Sequence, residues 1–270
     1  MINAKKPLDG QTVLVTRAED QSREFVDHIQ KLGGTAICFP MIEITGPDSW
    51  DACDDAVINL KNYSAVIFTS ANAVRGFMTR IENKFPHTKK TLNQRTVYAV
   101  GDKTKSVLMN YGVTTEDVPV EYTAEALDEM IQNAGCAGKR FLLPAGNLTR
   151  DVIENSLQSA GAIVDRVQVY ATKKPGDIDT VRLEQLLHER SLDVITFFSP
   201  SSAHHFFEII DPALVQNIPV AVIGKTTYDA VSGYGIQPEI KPDESTGEEL
   251  VNSIAQHLIR HNRDKINTTK

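Results

Sequence analysis

The sequence predicts an α/β protein of two similar parallel-sheet domains, an internal duplication, joined by a two-stranded connector with a cleft between them. Three observations carry this. Short apolar, β-branched runs alternate with amphipathic segments along the chain, the pattern of a parallel sheet covered by helices on both faces. Four blocks recur in the same order at an offset of about 125 residues. The length, 270 residues, is long for one core and comfortable for two.

The first strand is "TVLVT" (Thr12–Thr16). In the following "AEDQSREFVDHIQKLGG", Phe25, Val26, Ile29 and Leu32 share one helical face, and Gly33-Gly34 stops the helix. "AVIFTS", "VYAVG", "RFLLPAG", "VITFFS" and "VAVIG" repeat the strand followed by a polar turn. The duplication runs through these elements. Thr12–Ile44 matches Arg140–Thr172, and Ala65–Phe77 matches Val194–Phe207. Ala99–Val113 matches Val222–Ile236, both ending in a Tyr-Gly helix stop, and Tyr122–Ile131 matches Ser245–Ile254. The period is too long for a solenoid. "AICFPMIEIT" (Ala36–Thr45) and "DRVQVYATKKP" (Asp165–Pro175) are matching extended segments that can pair as a connector. The chain then starts in one domain (1–36 with 174–265), crosses at 37–44, builds the second (45–165) and returns at 166–173.

Composition excludes several classes. No stretch approaches the roughly 18 apolar residues of a membrane span. "MINAKKPLDG" has no apolar run after its lysines, so no secretory signal is expected. Three cysteines without CxxC spacing argue against a disulfide framework and a zinc site, and for a reducing cytoplasm. The net charge of −7 argues against a nucleic-acid partner. An anionic small molecule is still possible, because a cleft can be locally electropositive. No apolar stripe is left over for a dimer, so a monomer is expected. "RHNRDKINTTK" reads as a frayed polar tail.

Polar turns follow the strands or open helices at Thr16-Arg17, Ser70–Asn72, Gly101–Thr104, Tyr122-Thr123, Ala145–Thr149, Ser199–Ser202, Gly224–Thr227 and Ser245–Gly247. In open parallel sheets the carboxyl ends of the strands line the binding crevice. Each following helix points unpaired N–H groups and a partial positive charge there. Helix capping accounts for any one such Ser, Thr or Asn; the set as a whole suits a large ligand with several carboxylates.

Other machinery is missing. "AVGDKT" and "VIGKTT" have single glycines, so a dinucleotide fingerprint fails. "GKTT" at Gly224 fails as a P-loop because Pro219 stands where the earlier glycine belongs. Neither Ser70 nor Ser199 has a GxSxG context. His204 and His205, adjacent on a helix, point in different directions and do not suit one metal. Cys136, in a glycine-rich loop without a nearby histidine, is a poor nucleophile. "EEL" and "RLEQLLHER" are solvated helix faces. Trp50 lies outside every elbow. Tyr170, in "VQVYATKKP", is either a packed strand aromatic or a side chain aimed into the cleft.

These residues resemble the uroporphyrinogen-III synthase family from about Gly10 to about Ile259, in the family's order. The carrying pieces are "VLVTRAEDQSREFVDHIQKLGGTAICFPMIEI", "VIFTSANAV", "YAVGDKT", "YTAEAL", "VQVYAT", "FFSPSSA", "VIGKTT" and "TGEEL". The resemblance implies two α/β domains with the chain's two end segments sharing one of them. It implies that hydroxymethylbilane, a linear tetrapyrrole with eight carboxylates, loses water, has its last ring inverted and closes to uroporphyrinogen III. A spiro-pyrrolenine intermediate is the usual proposal. No cofactor or metal is implied. The unaided reaction closes to isomer I, so the enzyme's task is geometric: to make the substituted carbon of the last ring attack first while a cationic azafulvene is stabilised. By this match Tyr170 is the catalytic tyrosine. A phenol is a poor proton donor at neutral pH, so its expected role is positioner and weak acid. The same match puts Thr16, Ser70, Asn72, Gly101, Thr104, Ser199, Ser201, Ser202, Gly224, Thr226 and Thr227 on the substrate surface. Arg17 and Arg150 are candidate bidentate carboxylate partners or surface ion-pair residues.

One departure stands out. Many relatives carry Arg-Gly after the strand that here reads "FLLPAGNLTRD"; this chain has Ala145-Gly146. The competing reading is a non-catalytic two-lobed module of the same fold that binds an anion or tetrapyrrole, which the lost arginine favours slightly. A relative of two-lobed sugar or amino-acid binding proteins would usually offer stacking aromatics where this chain has serines and threonines.

Overall fold

The computed structural model describes residues 6–268. Residues 1–5 and 269–270, with the start of the N-terminal segment and the end of the expected tail, lie outside the described residues. In chain order the elements begin with β1 (Thr12–Val15), α1 (Glu19–Lys31), β2 (Thr35–Cys38), β3 (Glu43–Thr45) and α2 (Asp51–Ile58). Next come β4 (Ala65–Phe68), α3 (Ala71–Lys84), α4 (Lys89–Leu92), β5 (Thr96–Ala99), α5 (Asp102–Asn110) and α6 (Ala124–Asn133). β6 (Arg140–Gly146), α7 (Val152–Ser159), β7 (Ile163–Lys173) and α8 (Thr180–His188) follow. The chain ends with β8 (Val194–Phe197), α9 (Pro200–Phe207), β9 (Val220–Val222), α10 (Lys225–Ser232) and α11 (Gly247–Thr268).

Two compact units result. One comprises the chain up to Glu43 and from Lys173 onward; the other is Ile44–Thr172. The first holds the sheet β2-β1-β8-β9, with each neighbouring pair parallel. The second holds β3-β7-β6-β4-β5, parallel from β7 to β5. Replacing each block by its sequence counterpart turns β2-β1-β8-β9 into β7-β6-β4-β5, so the two sheets run in corresponding order. The segment expected as the second connector strand is the continuation of β7, bonded to β6 from Ile163 to Tyr170.

The inner strands explain the continuous apolar runs. In β1, Leu14 packs on one face with Leu183, Leu187 and Phe206, while Val13 and Val15 face Phe25, Ile29 and Leu250. In β4, Val66 and Phe68 meet Phe77 and Met78 of α3, while Ala65 and Ile67 meet Leu127 of α6 and Leu157 of α7. A strand covered on both faces gains apolar burial at every residue, which removes the alternation of a half-exposed strand. Reciprocal bonds lock the centre of the first sheet. Thr16 Oγ1 donates to Thr196 O at 2.7 Å and Thr196 Oγ1 to Leu14 O at 2.8 Å.

Helix stops fall at the glycines read from the sequence. Gly33 (φ 91°) follows α1 and Gly112 (φ 69°) follows α5, conformations that a Cβ disfavours. The tail expectation needs correction. α11 continues to Thr268, because neither proline nor glycine interrupts "RHNRDKINTTK".

In the second unit, Asp54 of α2 accepts from Arg80 Nε at 2.8 Å, Arg80 Nη2 at 2.7 Å and Lys84 Nζ at 2.5 Å. Arg80 also lies 4.8 Å from the Trp50 ring, so α2 and α3 are pinned together. The Arg80 hydrogen bonds, helped by Lys84 and opposed by burial, hold the Asp54 carboxyl down at about 2 against an ordinary value of 3.8. The folded value lies below the unfolded one. The stabilisation is therefore full above about pH 4 and fades as pH falls toward 2. Asp54→Asn should lower the urea midpoint at pH 7, and the gap from wild type should close in denaturation series run down to pH 2. A gap independent of pH would contradict the ionic role.

Candidate functional site

At the carboxyl ends of both sheets, strand-to-helix turns repeat one construction. Ser70 Oγ caps α3 by accepting the Ala73 N–H at 3.1 Å. Ser199 Oγ accepts the Ser202 N–H at 3.1 Å, and Ser202 Oγ accepts the Ser199 N–H at 3.3 Å, a reciprocal capping box. Thr123 and Thr246 cap α6 and α11 through the N–H groups of Ala126 and Glu249, at 3.1 and 3.2 Å. Helices α5 and α10 are capped by Gly101 and Gly224.

Those two glycines sit at extended φ, −174° and −175°, which any residue adopts. Space is what selects them. A Cβ on Gly101 would lie 2.9 Å from Cγ of Tyr122, and one on Gly224 would lie 2.9 Å from Oγ of Ser245. Tyr122 and Ser245 each directly precede a threonine cap, so in each unit one loop seats the next.

Helical geometry sorts the expected ligand residues. Asn72 and Ser201 are half-buried and Thr226 is exposed, each two residues past its cap. One residue further on, the side chain turns back toward the sheet. Thr104, Ser202 and Thr227 are accordingly buried, as is Thr16 at the end of β1. These four, which the family resemblance puts on the substrate surface, have their side chains buried. The Thr16 hydroxyl is used by Thr196 O, and Ser202 Oγ also donates to Ser199 O at 2.8 Å.

The cations differ. Arg17 stacks 4.8 Å over the Phe198 ring, and its Nη2 lies 3.4 Å from Gln21 Oε1. Arg150 has a side chain 71 % exposed, 3.9 Å from Glu125. Such exposed pairs contribute about 0–1 kcal/mol. His204 and His205 diverge, with Nδ1 atoms 2.9 Å from Tyr234 Oη and 2.7 Å from Met41 O respectively. Cys136 is buried.

Tyr170 is half-buried on β7. The β6–β7 register shifts between Ala145 and Gly146, which brings Gly146 opposite Tyr170. Tyr170 Oη lies 3.5 Å from Ser70 Oγ. Ser70 Oγ accepts from Ala73, and either it or the Tyr170 hydroxyl can donate across this contact. Arg166 and Asn147 were not among the residues singled out from the sequence, yet both organise the loop after β6. Arg166 donates to Thr149 O at 2.7 Å, and Asn147 exchanges two bonds with the backbone of Thr172. The nearest signal in the sequence was that the strands flanking this loop, "RFLLPAG" and "VQVYAT", fall in the one repeated block Arg140–Thr172. A depression of about 650 Å³ lined by Asn59, Tyr63, Arg140 and Asp165 lies at the amino ends of the same strands, away from Tyr170.

Fold and loops together define a class: a two-unit, parallel-sheet α/β protein that offers helix N-termini, neutral hydroxyls and a seated phenol at the strand ends. A family profile described as "Uroporphyrinogen-III synthase HemD" matches residues 23–260. The chain belongs to the uroporphyrinogen-III synthase family, lyases of tetrapyrrole biosynthesis. It is 34% identical to the uroporphyrinogen-III synthase of Chlorobaculum parvum over 92% of this chain and 99% of the relative. It is 30% identical to that of Synechococcus elongatus over 94% and 97%. The fold resembles solved structures of a mutant uroporphyrinogen III synthase from Thermus thermophilus (TM-score 0.66, 19% identity, 93% and 99% covered) and of the Helicobacter pylori uroporphyrinogen-III synthetase (0.60, 17%, 92% and 99%). The non-catalytic module is not favoured, since relatives named as synthases match along nearly their whole length.

Removing one cap tests the capping account. Ser70→Ala should lower stability by about 1 kcal/mol in chemical denaturation, and Ser70→Asp, which can also accept the Ala73 N–H, should recover most of it.

Proposed function

We propose that this chain converts hydroxymethylbilane to uroporphyrinogen III, with Tyr170 as the catalytic residue and the strand-end loops of both units holding the substrate's carboxylates. The observation that carries the reading is the Tyr170 phenol, half-buried beside the N-cap of α3 at the carboxyl end of the sheet. In the reaction the hydroxymethyl C–O bond breaks, and the oxygen leaves as water once it has gained a proton. The pyrrole nitrogen's electron pair stabilises the resulting azafulvene cation. Attack by the substituted carbon of the last ring gives the spiro intermediate, whose rearrangement inverts that ring before closure. Tyr170 orients the departing oxygen by hydrogen bonding and acts as a weak acid. The cation needs no strong nucleophile beside it; placement of the two reacting carbons sets the outcome.

The carboxylates meet helix N-termini, each worth about 0.3–1 kcal/mol at an exposed site. Ser70, Asn72, Ser199, Ser201 and Thr226 supply side-chain donors, while Gly101 and Gly224 cap α5 and α10, whose N-terminal N–H groups supply backbone donors. Arg17 and Arg150 supply charge. With Ala145 where many relatives have arginine, the backbone N–H groups carry more of the binding. Thr16, Thr104, Ser202 and Thr227 hold the framework in this reading. The protein works as a monomer in the cytoplasm, without a nucleic-acid partner. Among the described residues no helix is long and apolar enough to cross a membrane.

The deciding experiment supplies purified protein with freshly generated hydroxymethylbilane, then oxidises and separates the products. Isomer III should predominate without added metal or nucleotide. Isomer I alone, at the rate without protein, from folded material would overturn the reading. Tyr170→Phe should lower turnover about 100-fold or more, within the range of a lost general acid, with an unchanged circular dichroism spectrum. Wild-type turnover and isomer ratio would remove Tyr170 from the mechanism.

A further inference from the structure

We propose that Gly146 and Arg166 are positioning residues for the Tyr170 phenol, an inference that rests on the catalytic reading of Tyr170. A Cβ on Gly146 would lie 2.3 Å from Cζ, 2.6 Å from Cε2 and 2.7 Å from Oη of Tyr170. These distances are far inside van der Waals contact. The ring lies against the bare α-carbon, and its hydroxyl is held between Gly146 and Ser70. Gly146 is not among the glycines at positive φ, so the backbone alone does not demand glycine there. The demand comes from the ring.

The wall on the other side is built the same way. Gly76 of α3 lies against β7, where a Cβ would come 2.3 Å from Val169 O. That close approach lets α3 carry its cap, Ser70, to the residue next in chain to Val169. One glycine thus brings the helix to β7, and another admits the ring of Tyr170 between the helix cap and β6.

Such a seat holds only if the β6–α7 loop stays in place, and Arg166 holds it. Its Nη2 donates to Thr149 O at 2.7 Å and to Gly146 O at 3.4 Å. Its Nη1 pairs with Asp151 and lies 3.6 Å from Glu154 Oε2. One planar cation therefore gathers the loop's carbonyls and the first acidic groups around α7, an arrangement that lysine's single point charge does not reproduce. On the far side of Tyr170, Asn147 bonds Thr172 O at 3.1 Å and the Thr172 N–H at 2.8 Å. The loop is fastened to β7 four residues before Tyr170 and two residues after it. The register shift between Ala145 and Gly146 is the bulge that aims the seat.

The test is a double-mutant cycle on the full chain, read by turnover, KM and the ratio of isomers III to I. Gly146→Ala should lower kcat about 100-fold, the scale of a displacement of roughly 1 Å in a catalytic group, with KM changed less than about threefold and more isomer I. Arg166→Gln should act in the same direction, and Arg166→Lys should recover only part. In a Tyr170→Leu background neither change should lower turnover further. An equal loss in both backgrounds would overturn the proposal by assigning Gly146 and Arg166 a general structural role. If Tyr170→Leu alone turned over like wild type, the catalytic reading of Tyr170 would fail and leave nothing to position; the single variants distinguish that failure from the first. Should Gly146→Ala fail to fold, Arg166→Gln in the two backgrounds decides alone.

Discussion

Burial of the inner strands on both faces is the constraint from which the rest follows. Each of β1, β4, β8 and β9 is inaccessible to water along nearly its whole length. Helices must therefore lie on both sides, and every return to the sheet needs a crossover. Parallel strands send all their carboxyl ends to one edge. Each helix that follows starts there, with unpaired N–H groups and a partial positive charge. An acidic chain thereby gathers local positive potential from oriented backbone.

Steric room sets the second level. Glycine stands at 76, 101, 146 and 224 because a side chain or backbone carbonyl occupies the space where its Cβ would be. In the first unit Ser245 sits on Gly224, and in the second Tyr122 sits on Gly101. Both units keep this gap and fill it with side chains of different size. Only the second unit carries the further step, in which the strand opposite Gly146 presents a phenol.

Charge is used sparingly and locally. Asp54 with Arg80 and Lys84 is a framework cluster that joins two helices. Arg166 is committed to its own loop. Arg17 leans on Phe198, which in turn meets Phe25 edge-on at 4.8 Å. Arg150 is the cation held most loosely of those considered for the substrate. The loop after β6 is tied down from within by Arg166.

Strand and helix order, the repeated blocks, the helix-stopping glycines and the cap residues Ser70, Ser199 and Thr123 were all legible in the sequence, because each depends on neighbours within one turn or one strand. The ordered motif set also pointed to the family. Which hydroxyls face outward was less legible. The difference between Asn72 or Thr226 and the buried Thr104 or Thr227 is one step around a helix, and only the docked helix says which side meets the sheet. Gly146 beneath Tyr170, Arg166 reaching Thr149 O and Asn147 bridging to Thr172 were beyond sequence reading. Those partners lie 17 to 25 residues apart, and their meeting depends on a register shift between two strands. Local propensity and periodicity are written along the chain. The seat of the phenol is decided where separate segments compete for the same few ångströms of space.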